Sequence, residues 1–122
     1  MQPYKSLKVY EKSYNAAIKI CRDMAKIPKE EKYGVVDQLK RSTMGIPANI
    51  AEGYGKRESA AEYRRFLIMA KGSCYETMTW INFCYDLGYM SKEWEDEMLI
   101  VYDEIARMLH GLANPKTLTL KP

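Results

Sequence analysis

Few residues of this 122-residue chain could form a nucleophilic, acid–base or metal site. The single histidine, His110, lies near the end of the last predicted helix, where such a residue more often interacts with the helix dipole than acts as a base. A serine or cysteine nucleophile would need a base beside it. The carboxylates do not repeat as the Glu-x-x-His pairs that hold a di-metal centre in a helical bundle. We therefore predict no catalytic residue, no metal site and no cofactor, and a protein that is not an enzyme.

The three cysteines, Cys21, Cys74 and Cys84, favour a structural role. Their number is odd, no pair has CxxC spacing, and each lies on or beside an apolar helical stripe. This pattern is typical of buried thiols in a reducing compartment, and it predicts a cytoplasmic protein. No apolar run approaches the ~18 residues of a membrane span, and the N-terminus lacks the pattern of a secretion signal, so we expect no membrane association.

Phosphate binding is the chemistry that the sequence favours most. Residues 40–71 carry seven basic groups and three acids, a net charge of +4, whereas the whole chain carries +3. Guanidinium groups bind phosphates through paired hydrogen bonds, and aromatic rings such as Tyr54 and Tyr63, interleaved among these cations, can stack on exposed bases. The alternative interpretation is a solvated helix face. The predicted nucleic-acid-binding residues are Lys40, Arg41, Lys56, Arg57, Arg64, Arg65 and Lys71.

The distribution of acids allows a second use of the same cations. Residues 85–105 carry seven acids and one lysine, a net charge of −6. A basic surface could therefore dock on the acidic surface of another copy, and head-to-tail contacts of this kind close into rings. Ten tyrosines and two tryptophans are consistent with a subunit interface. The two hypotheses, nucleic-acid binding and self-assembly, compete for the basic residues.

Four long segments with apolar residues at steps of three and four position these groups, and no segment alternates with period two. Short loops between such helices make neighbours antiparallel. We predict an all-α fold, an antiparallel up-down-up-down four-helix bundle, in one domain over residues 1–122. Its ordered core spans about 7–113, and 114–122 form a polar tail. The hydroxyls of Ser59 and Ser91 are predicted to cap the third and fourth helices, Ser59 in a capping box with Glu62.

The second helix is predicted to open at Pro28 or a neighbour and to stop at residues 53–55. Because its apolar pattern continues across Pro47, we interpret this proline as a kink and not as a terminus. Small residues around the proline would allow another helix to approach closely. We expect Glu52 to be partly buried and paired with Arg41 or with an arginine of the third helix. The predicted structural motif consists of Pro47, Asn49, Glu52 and Gly53.

Several strings of the sequence resemble one bacterial protein family. They are residues 7–10 (LKVY), 27–34 (IPKEEKYG), 38–42 (QLKRS), 46–53 (IPANIAEG), 62–67 (EYRRFL), 70–73 (AKGS) and 86–89 (DLGY). Together they are similar to the four-helix-bundle family first noticed as open reading frames within intervening sequences of 23S ribosomal RNA genes. The resemblance covers nearly the whole chain, from Leu7 to Leu112.

This resemblance implies four antiparallel helices and a homo-oligomer, commonly a pentameric ring, with RNA or DNA binding as the role usually suggested. A related group, the accessory variability proteins of diversity-generating retroelements, shares the bundle and the ring and uses a basic surface to engage nucleic acid and a reverse transcriptase. The implied partners are therefore further copies of this chain, RNA or DNA, and a reverse transcriptase. The alternative function is a protein–protein scaffold or accessory subunit. The family offers no catalytic residues.

Overall fold

Four α-helices form the fold, as seen in a computed structural model that describes residues 3–28, 30 and 32–115. They are α1 (Lys8–Met24), α2 (Asp37–Gly55), α3 (Ala60–Asp86) and α4 (Lys92–Ala113). No strand occurs in the described residues, so the predicted all-α class with four helices is confirmed. Within the same ranges, none of the helices is long and apolar enough to cross a membrane. Residues 116–122 of the predicted polar tail lie outside the described part of the chain.

The start of α2 differs from the prediction. We expected this helix to open near Pro28, but it begins at Asp37, after a wide helical turn over Lys32–Val36. Gly34 in that turn has φ −117° and ψ −112°, outside the helical region, and glycine adopts such dihedrals without steric cost from a side chain. From Asp37 the helix continues through Pro47 to Gly55, so the proline does not terminate it.

The core lies between the four helices, because α1 and α3 each pack against both α2 and α4. Its largest fully buried side chain is Tyr102, whose hydroxyl forms a hydrogen bond with the Thr43 hydroxyl. Burial raises the pKa of Tyr102, because a phenolate there would be desolvated, while the bond to Thr43 acts in the opposite direction. Other fully buried side chains are Ile20, Leu39, Ile46, Ile50, Leu67, Ile81, Met98, Ile105 and Leu109.

Gly53 lets α2 and α3 meet near the end of α2. A Cβ at this position would lie 2.7 Å from the Cβ of Phe66, so a larger residue would force one of the helices to shift. The close approach that the small residues predict therefore occurs here. It fixes the distance between the last turn of α2 and the first turns of α3, which carry Arg64 and Arg65, while Lys56 and Arg57 lie in the loop between them.

The prediction of a partly buried Glu52 is wrong. The side chain of Glu52 is 56% exposed, and its carboxylate pairs with Lys56 of the following turn at 3.5 Å. The physical reason is the register of α2, which buries Ile46, Ile50 and Gly53 at steps of four and three. Position 52 lies off this stripe, so its carboxylate is solvated and makes no buried clamp to Arg41 or to α3.

Candidate nucleic-acid interface

The loop between α2 and α3 ends at Ser59, which is the N-cap of α3. The Ser59 hydroxyl accepts a hydrogen bond from the Glu62 amide at 3.2 Å, as predicted, and the Ser91 hydroxyl caps α4 in the same way through Trp94. The Ser59 amide itself donates to the carbonyl of Lys56 at 3.1 Å. The second half of the predicted capping box, a hydrogen bond from the Ser59 amide to the Glu62 carboxylate, is therefore wrong, and this carboxylate accepts instead from Arg65 of α3 at 3.0 Å.

Two cations lie against the ring of buried Phe66. The Lys56 Nζ is 4.8 Å and the Arg65 guanidinium carbon is 4.7 Å from the ring centroid. Each also has a carboxylate partner, Glu52 for Lys56 at 3.5 Å and Glu62 for Arg65 at 3.0 Å. The hydrogen bond from Arg65 lowers the pKa of Glu62 and in turn raises the pKa of Arg65. Both cations are thus exposed but held in place.

Arg57 differs from these two because it has no ion pair with any described residue. Its guanidinium carbon lies 4.0 Å from the centroid of the Tyr54 ring, and its Nη1 donates to the Tyr54 carbonyl at 2.9 Å. One of the five N–H donors of Arg57 is used in this way, and the side chain is exposed, so other donors remain for a ligand. Arg57 is therefore a fixed, exposed cation on an aromatic support.

Arg64 serves a different purpose, which the sequence analysis missed. Its Nε donates to the carbonyl of Ala113 at 3.1 Å, and its Nη2 donates to the side-chain oxygen of Asn114 at 3.0 Å. These are the last groups of α4, where backbone carbonyls have no partner within the helix and the dipole attracts a cation. Arg64 thus joins the start of α3 to the end of α4.

An open cleft of about 530 Å³ lies between these two helix ends. Arg57, Tyr63 and Arg64 line one side, and Leu112 and Asn114 line the other. Burial raises the pKa of Tyr63, neighbouring Tyr54 raises it further, and Arg57 lowers it. The lining of the cleft is mainly apolar and includes two arginines.

The remaining predicted cations lie elsewhere. Lys71 is in contact with the His110 ring, Nζ to Nδ1 at 3.1 Å, on the side that faces α4. Lys40 and Arg41 belong to the first turns of α2 and are 15 residues or more before Lys56, about 22 Å along a helix. The structure therefore does not bring all seven predicted residues together.

We call the group Lys56, Arg57, Arg64 and Arg65 the basic corner. Three acids share its loop and the flanking helix turns: Glu52, Glu58 and Glu62. Four cations against three carboxylates give a net charge of +1, which is much smaller than the +4 of residues 40–71. The corner is therefore distinguished less by its net charge than by the aromatic rings that hold its cations.

Aromatic contacts continue from the basic corner onto α1. Successive ring centroids are 6.4 Å apart for Tyr63 and Tyr54, 6.5 Å for Tyr54 and Tyr4, 5.1 Å for Tyr4 and Tyr10, and 5.9 Å for Tyr10 and Tyr14. We call these five residues the tyrosine row. The sequence analysis identified Tyr54 and Tyr63 only. The four-residue spacing of Tyr10 and Tyr14 was the available signal for a shared helix face.

The acidic segment of α4 is partly paired within the chain. Lys92 contacts the buried carboxylate of Glu95 at 2.7 Å, and Lys12 of α1 contacts Glu104 at 3.2 Å. Between these pairs, Ile100 is 69% exposed. Asp96 and Asp103 are paired too, with Lys92 at 3.3 Å and Arg107 at 3.0 Å, so the surface of α4 combines mostly paired acids with an exposed aliphatic side chain.

Two of the three cysteines have the buried environment that the sequence predicts. Cys74 and Cys84 are buried, Cys21 is half-buried, and all three are free. Burial raises the pKa of Cys74 to about 12 and that of Cys84 to about 11, so at neutral pH neither is a thiolate nucleophile. Within the described residues, no cluster of three His, Cys, Asp or Glu side chains could hold a metal ion.

Comparisons with known proteins agree with this fold. A family model described as 23S rRNA-intervening sequence protein matches residues 5–111. The chain is also similar to the crystal structure of a protein with unknown function from the S23 ribosomal protein family of Bacteroides thetaiotaomicron VPI-5482. The two are 25% identical, with a TM-score of 0.80, and the match covers 87% of this chain and 95% of the other. No curated protein matches the chain.

Proposed function

The chain belongs to the 23S rRNA-intervening sequence protein family, and we propose that it is a non-enzymatic protein that binds RNA or DNA through the basic corner. The observation that carries this proposal is the geometry of Arg57, an exposed guanidinium fixed on the Tyr54 ring and without a carboxylate partner among the described residues. Lys56 and Arg65 flank it from the Phe66 ring. A cytoplasmic setting is part of the proposal, and the free thiols support it.

The paired cations of the corner are compatible with this role. An ion pair between exposed side chains is worth only about 0–1 kcal/mol, so a phosphate can replace Glu52 at Lys56 or Glu62 at Arg65 at little cost. A guanidinium binds phosphate through two parallel hydrogen bonds, which are stronger than neutral ones. Arg57 gains such bonds without losing any carboxylate, so it should contribute most.

Salt-dependent binding tests the proposal directly. Fluorescence anisotropy with a labelled ribosomal RNA fragment should give an affinity that falls steeply between about 50 mM and 200 mM salt, because bound phosphates release counterions. The double variant Arg57→Gln/Arg65→Gln should weaken binding and make the salt dependence shallower by about 0.7 per lost phosphate contact.

Arg22→Gln is the matched control, since Arg22 is exposed in the last turn of α1, about 18 Å along the helix from Tyr10. The Tyr10 ring contacts Tyr4, which in turn contacts Tyr54 beside the basic corner. The control should bind like the wild type. An absence of binding at the lower salt concentration, or an equal loss in the control, would contradict the proposal.

We further propose that the four helices alternate in direction and that α2 bends at Pro47. Contacts between α2 and α3 support the first part. The Thr77 hydroxyl donates a hydrogen bond to the Ser42 hydroxyl at 2.9 Å, whereas Gly53, eleven residues after Ser42, lies against Phe66, eleven residues before Thr77. The two helices therefore run in opposite directions. A bend at Pro47 is supported by the missing amide of this residue, which cannot donate within α2. The alternation would bring the end of α2, the start of α3 and the end of α4 to one end of the bundle.

Self-assembly into a closed ring, with five copies as the favoured form, is the second candidate function. Ile100 supports it, because this 69% exposed isoleucine could serve as an apolar anchor with the acids of α4 as a charged rim. Light scattering of the wild type should then give a multiple of the chain mass, and Ile100→Lys should lower it. A monomeric wild type would contradict this candidate. A scaffold or accessory subunit, for example of a reverse transcriptase, is the alternative role for such a surface.

A further inference from the structure

The tyrosine row connects the basic corner with the outer surface of α1. Its last member, Tyr14, is 49% exposed, and its ring lies in a stacked arrangement on Tyr10, with an interplanar angle of 28°. Tyr4, Tyr10, Tyr54 and Tyr63 are each half-buried. Contacts between the rings therefore fix their orientation, and each ring still exposes part of its surface to solvent.

The spacing of these rings does not fit a duplex. Neighbouring centroids are 5.1–6.5 Å apart, whereas nucleotides of one strand in a duplex advance by about 3.4 Å. Three of the four neighbouring pairs are also tilted by 54–85°, so bases that contact successive rings cannot stay parallel and stacked on one another, and must be separated as in an extended single strand. In a duplex the faces of the bases are covered by their neighbours and cannot reach the rings.

Charge and shape around the row suit such a strand. Arg57 covers one face of Tyr54, the second ring of the row, and exposed Lys5 follows Tyr4. Beside the Tyr14 end of the row, an apolar groove of about 380 Å³ runs between α1 and α2, with Tyr14, Met44 and Pro47 among its lining residues. Cations that follow the phosphates, beside aromatic and apolar surfaces that accept bases, are the two components of single-strand binding sites.

We propose that the tyrosine row binds the unpaired bases of a single-stranded RNA or DNA segment whose phosphates lie on the basic corner. The proposal rests on the proposed function, because it assigns the bases to the row only if the corner holds the backbone. It adds a ligand class: a strand without base pairs, recognised by stacking and without a strong sequence preference.

The first test separates bases from phosphates. The full chain is titrated with two labelled oligonucleotides of equal length and charge, one of thymidines and one of abasic sites, at low salt. The proposal expects the thymidine strand to bind more tightly than the abasic strand. Equal affinities would overturn the role of the row and leave the basic corner intact, whereas binding of neither strand would overturn the proposed function itself.

The second test removes one ring. Tyr14→Ala should weaken binding of the thymidine strand by about 5- to 150-fold, which is the range for loss of one base–aromatic stack, and should leave the abasic strand unaffected. Tyr14→Phe keeps the ring and should bind like the wild type. Tyr75→Ala is the matched control, since Tyr75 is a similarly exposed tyrosine (55%) of α3 outside the row. A loss of the same size in Tyr75→Ala, or none in Tyr14→Ala, would overturn the proposal.

Discussion

Polar groups are paired both in the core and at the basic corner, but the core pairs are buried and the corner pairs are solvated. The loss of a partner therefore costs a different amount of stability in the two regions. The Tyr102 hydroxyl and the Thr43 hydroxyl are fully buried, so neither can be satisfied by water if the other is lost. Arg65 and Glu62 are solvated and 3.0 Å apart. Losing a buried partner costs about 1–3 kcal/mol, whereas an exposed ion pair contributes about 0–1 kcal/mol. Core pairs therefore hold the fold, and corner pairs can be exchanged for a ligand.

Truncating the central core residue should have the largest effect. Tyr102→Ala removes a fully buried ring and leaves the Thr43 hydroxyl unpaired, so we expect a loss of about 3–5 kcal/mol in the free energy of unfolding, measured by urea denaturation. Tyr75→Ala, on the exposed surface of α3, should change it by less than about 0.5 kcal/mol. Similar values for the two variants would contradict the distinction between core and surface.

A methyl group added at Gly53, where α2 packs against α3 beside the basic corner, should have the next largest effect. Gly53→Ala would place a Cβ 2.7 Å from the Cβ of Phe66, and the resulting overpacking should cost about 1–3 kcal/mol. Because the shift moves Phe66, it should also weaken nucleic-acid binding at the corner. Gly55→Ala is the matched control, since a Cβ there would meet nothing within 4 Å. If both variants unfold at the same urea concentration, the close contact is not what holds α2 against α3.

Alkaline pH should weaken the core, where buried thiol and phenol groups resist ionisation. The folded-state pKa of Cys74 is raised to about 12, above its ordinary value of about 8.5. The stability that this group contributes is therefore complete below about pH 8.5 and is lost as pH rises toward the folded pKa, at about 1.4 kcal/mol per pH unit.

The buried thiol of Cys84 and the buried phenol of Tyr102, whose pKa values are also raised, should add to this alkaline loss. Urea denaturation at about pH 8 and pH 10 measures the slope, and Cys74→Ala should make it shallower. An unchanged slope in Cys74→Ala would show that this thiol ionises as easily in the folded chain as in the unfolded one.

Local patterns of the sequence were sufficient for the helices and their caps. The steps of three and four place Leu39, Ile46 and Ile50 on the buried stripe of α2, and the Ser59 and Ser91 caps depend on contacts within four residues. The early start predicted for α2 was wrong because Gly34 leaves the helical region, which costs a glycine no steric energy. The apolar pattern on either side of Gly34 gives no sign of this break.

Contacts between distant segments were not predictable in the same way. Arg64 meets Ala113 and Asn114, about 50 residues later, only because the two helix ends pack together. Tyr4 meets Tyr54 for the same kind of reason. Which of the seven predicted cations lie close together also depends on the length of each helix and on the face that carries each residue. A count of charges along the sequence contains neither piece of information. Residue types were sufficient to identify the candidate residues, but their contact partners could be identified only from the folded structure.

Arg57 and Arg64 test the central claim most directly, because they are arginines seven residues apart with different partners. The measurement is urea denaturation and single-strand binding of Arg57→Gln and Arg64→Gln in parallel. We predict that Arg57→Gln leaves unfolding unchanged and weakens binding about tenfold, since one charge-assisted contact is lost. Arg64→Gln should lower the free energy of unfolding by about 1 kcal/mol, since the end of α4 loses its cap, and should affect binding less. Unchanged binding in Arg57→Gln, or the reverse pattern in the two variants, would contradict the account.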